Sequence, residues 1–224
     1  MKQQNKQSRK PFLLISDFDG TISKLDFFQQ ILNHYFPEGE NVDYLAYREN
    51  QISSFTLLSS IFQNIGLSKS ELETEIQRIP IDDTFTETAH WILQRGGDIC
   101  ILSAGCVYYI KRRLRLEGLG EIPVVSNRGI YSDGGICMLR DTDSPWYSEE
   151  SGIDKGKATT HFKKNYDLVA YAGDGTFDVP AAKLVNLRFA KRQLEVLLQR
   201  EQIAYYPLTG FNVIRQVLEE QKIL

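Results

Sequence analysis

Phe12-Leu13-Leu14-Ile15-Ser16-Asp17-Phe18-Asp19-Gly20-Thr21 is the stretch that decides the fold of this chain. Its short apolar run has the form of a strand buried on both faces of a parallel sheet. It leads directly into a turn carrying two carboxylates. Residues i and i+2 of an extended segment share a face, so Asp17 and Asp19 can point into one crevice. Gly20 then frees the backbone to turn closely around a ligand and present N–H groups. Two more apolar runs end in polar residues. Ile99-Cys100-Ile101-Leu102 delivers Ser103, and Leu168-Val169-Ala170-Tyr171 leads to Gly173-Asp174, with Asp178 four residues later. Lys155 precedes this last run. Open α/β sheets bind ligands beyond the carboxyl ends of their strands, so three such strand ends together mark a candidate site.

Outward from these runs the chain alternates strands and helices, the pattern of a parallel α/β sheet. Residues 1–10 read as a disordered polar tail, 11–24 and 83–224 as one α/β core, and 25–82 as an all-helical insert. Within the insert, Leu25, Phe28, Ile31, Leu32 and Phe36 recur at helical spacing, and a second apolar stripe runs from Tyr44 to Ile65. Ser68 with Glu71 has the form of a capping box. Further on, the spacing predicts helices over 84–95 and 107–117, a strand over 122–125, and a hairpin over 128–140 turning at Asp133-Gly134. Ser148 to Gly152 reads as an exposed loop, and the cluster Lys111, Arg112, Arg113 and Arg115 as a solvated helix face.

Composition narrows the class. The 224 residues carry 26 basic and 29 acidic side chains, a net charge of -3. A nucleic-acid binder needs a concentrated basic surface, so no such partner is expected. No apolar run approaches the ~20 residues of a membrane span, so no membrane partner is expected either. The three cysteines (Cys100, Cys106 and Cys137) form neither a disulfide framework nor a zinc site, which makes a reducing cytoplasm the expected location.

The four segments together resemble the haloacid dehalogenase superfamily of phosphatases. Asp17-Phe18-Asp19-Gly20-Thr21 matches its first motif, Ser103 in Ile101-Leu102-Ser103-Ala104-Gly105 its second, Lys155-Gly156 its third, and Gly173-Asp174-Gly175-Thr176-Phe177-Asp178 its fourth. The resemblance implies a Rossmann-like parallel core with a C1-type helical cap, as in the phosphoserine-phosphatase-like branch. Phe189-Ala190-Lys191 and Leu208-Thr209-Gly210-Phe211 are similar to the tail of the methionine-salvage ketoenol-phosphate phosphatases. Phe177 departs from the pattern, which has a small or polar residue there.

What the resemblance implies for chemistry agrees with the residue types. Asp17, Asp19, Asp174 and Asp178 would repel an entering phosphate dianion by about 4 kcal/mol per pair at 4 Å and an effective dielectric of 20. A cation must sit among them, and hard oxygen ligands suit octahedral Mg²⁺. The family pattern assigns the metal to Asp17, the Asp19 carbonyl and Asp174, with Asp178 supporting a ligand or orienting Lys155. It makes Asp17 the nucleophile of an aspartyl-phosphate mechanism and Asp19 the acid and base. Gly20, Ser103, Ala104 and Lys155 would hold the phosphate of a small-molecule phosphomonoester, with Lys157 competing for the lysine role. Asp26 falls where phosphoserine-specific relatives carry an acidic residue. Yet the stretch from Gln51 to Gln77 has no arginine and Lys69 as its only base; Arg48 and Arg78 lie outside it. The substrate expected is therefore neutral, hydroxylated or keto, against a wall drawn from Phe27, Phe28, Phe55 and Leu58. A phosphomutase or a phosphoserine phosphatase would keep the same core residues.

Overall fold

The computed structural model describes residues 9–36 and 42–224. Strand β1 (Lys10–Ser16) is followed by five helices: α1 (Phe27–Tyr35), α2 (Val42–Arg48), α3 (Ser54–Gln63), α4 (Lys69–Gln77) and α5 (Phe85–Gln94). Then come β2 (Asp98–Cys106), α6 (Val107–Leu116), the hairpin β3 (Val124–Ser132) and β4 (Gly135–Leu139), and the two short strands β5 (Tyr147–Ser148) and β6 (Gly152–Ile153). The remainder is α7 (Lys155–Phe162), β7 (Tyr166–Gly173), α8 (Val179–Ala182), β8 (Leu187–Ala190), α9 (Arg192–Arg200), β9 (Tyr206–Pro207) and α10 (Asn212–Glu220).

Among the described residues the main sheet has seven strands in the order β4-β3-β2-β1-β7-β8-β9. All its pairs are parallel except the β3–β4 hairpin. Both faces are covered, and the strand sequences show why. Phe12 and Leu14 of β1 join one hydrophobic cluster, while Leu13 and Ile15 join the other. Ala170 and Ala172 of β7 alternate with Val169 and Tyr171 in the same way. Helices α5, α6 and α10 supply the first face, and α7, α8 and α9 the second. Phe27, Phe62 and Leu72, from α1, α3 and α4, pack into the first cluster, so these helices share the core of that face. The chain leaves β1 toward β2 and β3 on one side and β7 toward β8 and β9 on the other. The ends of β1, β2 and β7 thus meet at the reversal of strand order, where open sheets form their crevice.

Several sequence expectations are corrected. Residues 1–8 of the expected tail lie outside the described residues, and its last residue, Lys10, already belongs to β1. The stripe from Tyr44 to Ile65 is two helices, broken between Arg48 and Ser54, where Asn50 adopts a φ of 57°. Ser148 to Gly152 is no free loop. The Glu150 carbonyl accepts from Phe55 N–H at 2.9 Å and from Ser54 Oγ at 2.9 Å, which ties the segment to the start of α3. Nor is the basic cluster on α6 simply solvated. Lys111 donates to the carbonyls of Gly120 and Ile122, Arg112 pairs with Glu73 of α4 at 2.6 Å, and Arg113 donates to the Ile79 carbonyl. Those cations satisfy the orphan carbonyls beyond α6 and fasten α4 to the core. No helix among the described residues is long and apolar enough to cross a membrane.

Candidate active site

Asp17 is the first residue past β1, and its N–H still donates to the Ala172 carbonyl of β7 at 2.9 Å. That bond holds its carboxylate at the centre of the crevice. Lys155 opens α7, where Asp154 caps the helix by accepting from Lys157 N–H. The Lys155 ammonium is buried 2.7 Å from Asp17 Oδ1 and 2.7 Å from Asp178 Oδ1. Lys157 points elsewhere, its ammonium 3.5 Å from Asp154 at the surface. Asp178 is 1% exposed, and both its oxygens are fully engaged. Oδ1 takes Lys155 and the Tyr171 hydroxyl, while Oδ2 takes the N–H groups of Asp174 and Gly175. It orients Lys155 and shapes the turn that carries Asp174. Asp174 itself accepts from Thr21 Oγ1 at 3.3 Å and from Arg192 at 3.2 Å.

Asp19 receives one donor on each oxygen: Phe27 N–H at 3.0 Å on Oδ1 and the Tyr109 hydroxyl at 2.5 Å on Oδ2. Ser103 is buried at the end of the apolar part of β2, and its Oγ accepts from Gly105 N–H at 3.0 Å. It does not cap α6, whose N-cap is Cys106. Ala104 lines the same cavity, and its carbonyl is held by the Asn127 side chain at 2.7 Å. Gly20 serves differently from expectation: its N–H donates to Ser23 Oγ, and its contribution is the lack of a side chain. Asp26, at the N-cap of α1, makes no capping bond and faces the cavity. Of the expected apolar wall, Phe28 and Leu58 line the cavity, whereas Phe27 and Phe55 are buried in the core. Tyr47, Ser54, Leu57 and Phe62 complete the wall, and the cavity volume is about 250 Å³.

The electrostatics show a site short of positive charge. Burial pushes the Asp17 carboxyl up; Lys155 opposes this, and Asp178 and Asp174 add to it. Burial also raises Asp19 and, together with Asp178, Asp174. Asp26 is pushed up to about 7, first by burial and then by the charges of Asp19 and Asp174. Burial alone would depress Lys155, but the flanking Asp17 and Asp178 outweigh it and raise that pKa. Oxygens of Asp17, Asp174 and Asp178 lie within 4.8 Å of one another. With Asp178 consumed by its own donors, Asp17 and Asp174 keep lone pairs for a cation. A hard oxygen set fits a divalent metal, and its charge would oppose both the burial and the carboxylate repulsion that raise these pKa values.

Sequence reasoning missed Tyr109, Arg192 and Asn127. Their partners lie 90, 18 and 23 residues away, and nothing local signals such contacts.

No protein-family model matches the chain. It is 26% identical to Pdp3-interacting factor 1 of Schizosaccharomyces pombe, over 95% of this chain and 96% of that protein. It is 26% identical to the polyol phosphate phosphatase PYP1 of Saccharomyces cerevisiae, over 65% of this chain and 67% of that one. It is 24% identical to a 2-hydroxy-3-keto-5-methylthiopentenyl-1-phosphate phosphatase of Microcystis aeruginosa, over 92% and 97%. Among solved structures, an apo phosphoserine phosphatase superposes with a TM-score of 0.68 at 19% identity, over 95% of this chain and 98% of that one. In turning Asp-x-Asp-Gly-Thr out of the first strand of such a sheet, and in running nearly end to end with such relatives, the chain is similar to the haloacid dehalogenase phosphatases of the phosphoserine-phosphatase-like branch.

Proposed function

We propose that this chain is a Mg²⁺-dependent phosphomonoesterase that hydrolyses the phosphate ester of a small, uncharged metabolite. The observation that carries the reading is the buried Asp17–Lys155–Asp178 arrangement beside Asp174, at the reversal point of the sheet. Asp17 and Asp174, with the Asp19 carbonyl, would hold the cation. When bound, Mg²⁺ neutralises the carboxylates and polarises the phosphoryl oxygens. Asp17 attacks phosphorus and the ester P–O bond breaks, while Asp19 gives its proton to the leaving oxygen. Water then attacks the aspartyl-phosphate, Asp19 takes the water's proton, and the Asp17–phosphorus bond opens to release phosphate. Lys155 and Ser103 stabilise charge on the phosphoryl oxygens through the transition states. Residues 25–82 act as the cap that excludes water.

The substrate class follows from what lines the cavity beyond the phosphate end: Asp26, Tyr47, Ser54 and apolar side chains, with no arginine. This wall supports a hydroxylated or keto phosphate. The polyol-phosphate and ketoenol-phosphate activities named for the relatives support the same class. The test is a phosphomonoester panel with and without chelator, including polyol phosphates and the ketoenol phosphate generated in situ. Chelator-sensitive turnover that Asp17→Asn abolishes is the expected result. Full activity in that variant would remove Asp17 from the mechanism.

A further inference from the structure

We propose that Tyr109 is a positioning residue for Asp19: its hydroxyl fixes the plane of the Asp19 carboxyl and so the direction in which that group delivers a proton. The proposal rests on the reading of Asp19 as acid given above. A carboxyl on an sp³–sp² bond has a broad, two-fold torsional profile and rotates unless it is held. Here it is held at both ends, by Phe27 N–H on Oδ1 and the Tyr109 hydroxyl on Oδ2. One donor on each oxygen removes the rotation and leaves each oxygen a second lone pair. Ser103 Oγ, the other hydroxyl near Oδ2, stands at 3.5 Å, the limit of a hydrogen bond. Without Tyr109 the carboxyl has one firm anchor.

Three features fix the tyrosine. Its ring is 1% exposed and packs against Phe27 at 4.6 Å, Phe62 at 5.7 Å and Phe18 at 6.1 Å between centroids. Phe27 therefore acts twice: its N–H meets one oxygen of Asp19, and its ring sets the tyrosine that meets the other. Docking of α1 and α3 against α6 places both donors together. The third feature is Gly105, where a Cβ would stand 1.9 Å from the Tyr109 hydroxyl and 2.5 Å from Asp19 Oδ2. The Tyr109–Asp19 contact thus occupies the space that a side chain at 105 would fill. In this reading the tyrosine acts through Asp19, the residue that meets the leaving oxygen.

Tyr109→Phe removes the hydroxyl and keeps the ring. A nitrophenolate leaves without a proton, whereas an alkoxide needs one. In the Mg²⁺-loaded full chain we expect kcat/KM for an alkyl phosphate, which reads the transfer to Asp17 where Asp19 acts as acid, to fall about 10- to 100-fold, part of the general-acid contribution. For nitrophenyl phosphate, whose leaving group takes no proton in that transfer, kcat/KM should stay within about threefold. Equal losses on both substrates, or none, overturn the proposal. Asp19→Asn is measured alongside. If it shows no leaving-group dependence, the acid reading of Asp19 has failed, a result distinct from failure of Tyr109 alone. The double variant closes the cycle. If Tyr109 works through Asp19, adding Tyr109→Phe to Asp19→Asn costs nothing more on alkyl phosphates. Losses that multiply assign the tyrosine a role independent of Asp19 and overturn the proposal.

Discussion

Gly20 and Asp174 approach too closely for a side chain to come between them: a Cβ on Gly20 would stand 2.3 Å from Asp174 Oδ2. Gly20 also holds a φ of 73°, which costs an L-residue about 1 kcal/mol or more. Gly20→Ala should therefore push the Asp174 carboxylate out of place and lower stability by roughly that amount. The functional readout is the Mg²⁺ concentration for half-maximal activity, expected to rise at least tenfold. An unchanged Mg²⁺ dependence would separate Asp174 from the metal.

Asp178→Asn tests the buried acceptor behind the site. An amide nitrogen cannot accept, so at least one of the donors now shared by Lys155, Tyr171, Asp174 and Gly175 loses its partner. The substitution also leaves Lys155 with Asp17 as its single carboxylate. Breaking one side of a buried pair costs about 3–5 kcal/mol. The unfolding free energy from urea titration should fall by that order, with activity lost even in saturating Mg²⁺. A shift below about 1 kcal/mol would mean that the turn is held by other bonds.

How much of this was legible in the sequence depended on distance along the chain. The alternation Phe12-Leu13-Leu14-Ile15 reads directly as a strand shared by two clusters, and both clusters are there. Ser68 and Glu71 form the reciprocal capping box their spacing announces, and the hairpin turns at Asp133-Gly134, each with a positive φ. Local chemistry specifies these features. Glu150 was illegible because its carbonyl meets Ser54, 96 residues earlier, and a polar stretch bonded to a distant helix start reads as a solvent loop. Tyr109 was illegible for a different reason. On a helix, an aromatic among apolar residues predicts core, and Tyr109 is core; only its hydroxyl reaches the site.

Glu75 supplies a pH test outside the active site. This 1%-exposed carboxylate of α4 accepts from Gln30, Tyr35 and Arg78 and lies 2.9 Å from His34 Nδ1. Burial pushes its pKa up, but these partners outweigh burial and hold it below the ordinary carboxylate value. A depressed folded pKa stabilises the fold above the unfolded pKa, and that stability is lost as pH falls through the folded value. The wild-type urea midpoint should thus decline on acidification below about pH 4.5 more steeply than that of Glu75→Gln, which starts lower at neutral pH. Parallel pH profiles would take Glu75 out of the acid response.

Phosphoserine should be a poor substrate. Its carboxylate calls for a planar, two-pronged donor, which arginine supplies and lysine does not. No arginine lines the cavity, and Lys155 is already committed between Asp17 and Asp178. Arg48 is exposed at the end of α2 and is not among the residues that line the cavity. Asp26 faces the cavity with a pKa raised to about 7, so near neutral pH it is partly protonated and suited to a substrate hydroxyl. The decisive comparison is kcat/KM for phosphoserine against polyol and ketoenol phosphates under one set of conditions. The neutral substrates should lead by at least tenfold, which is about 1.4 kcal/mol of transition-state binding. Asp26→Ala should narrow that lead by weakening the neutral substrates. If phosphoserine leads by tenfold instead, this reading of the cavity is wrong and Arg48 becomes the candidate carboxylate clamp, with Arg48→Ala as its test.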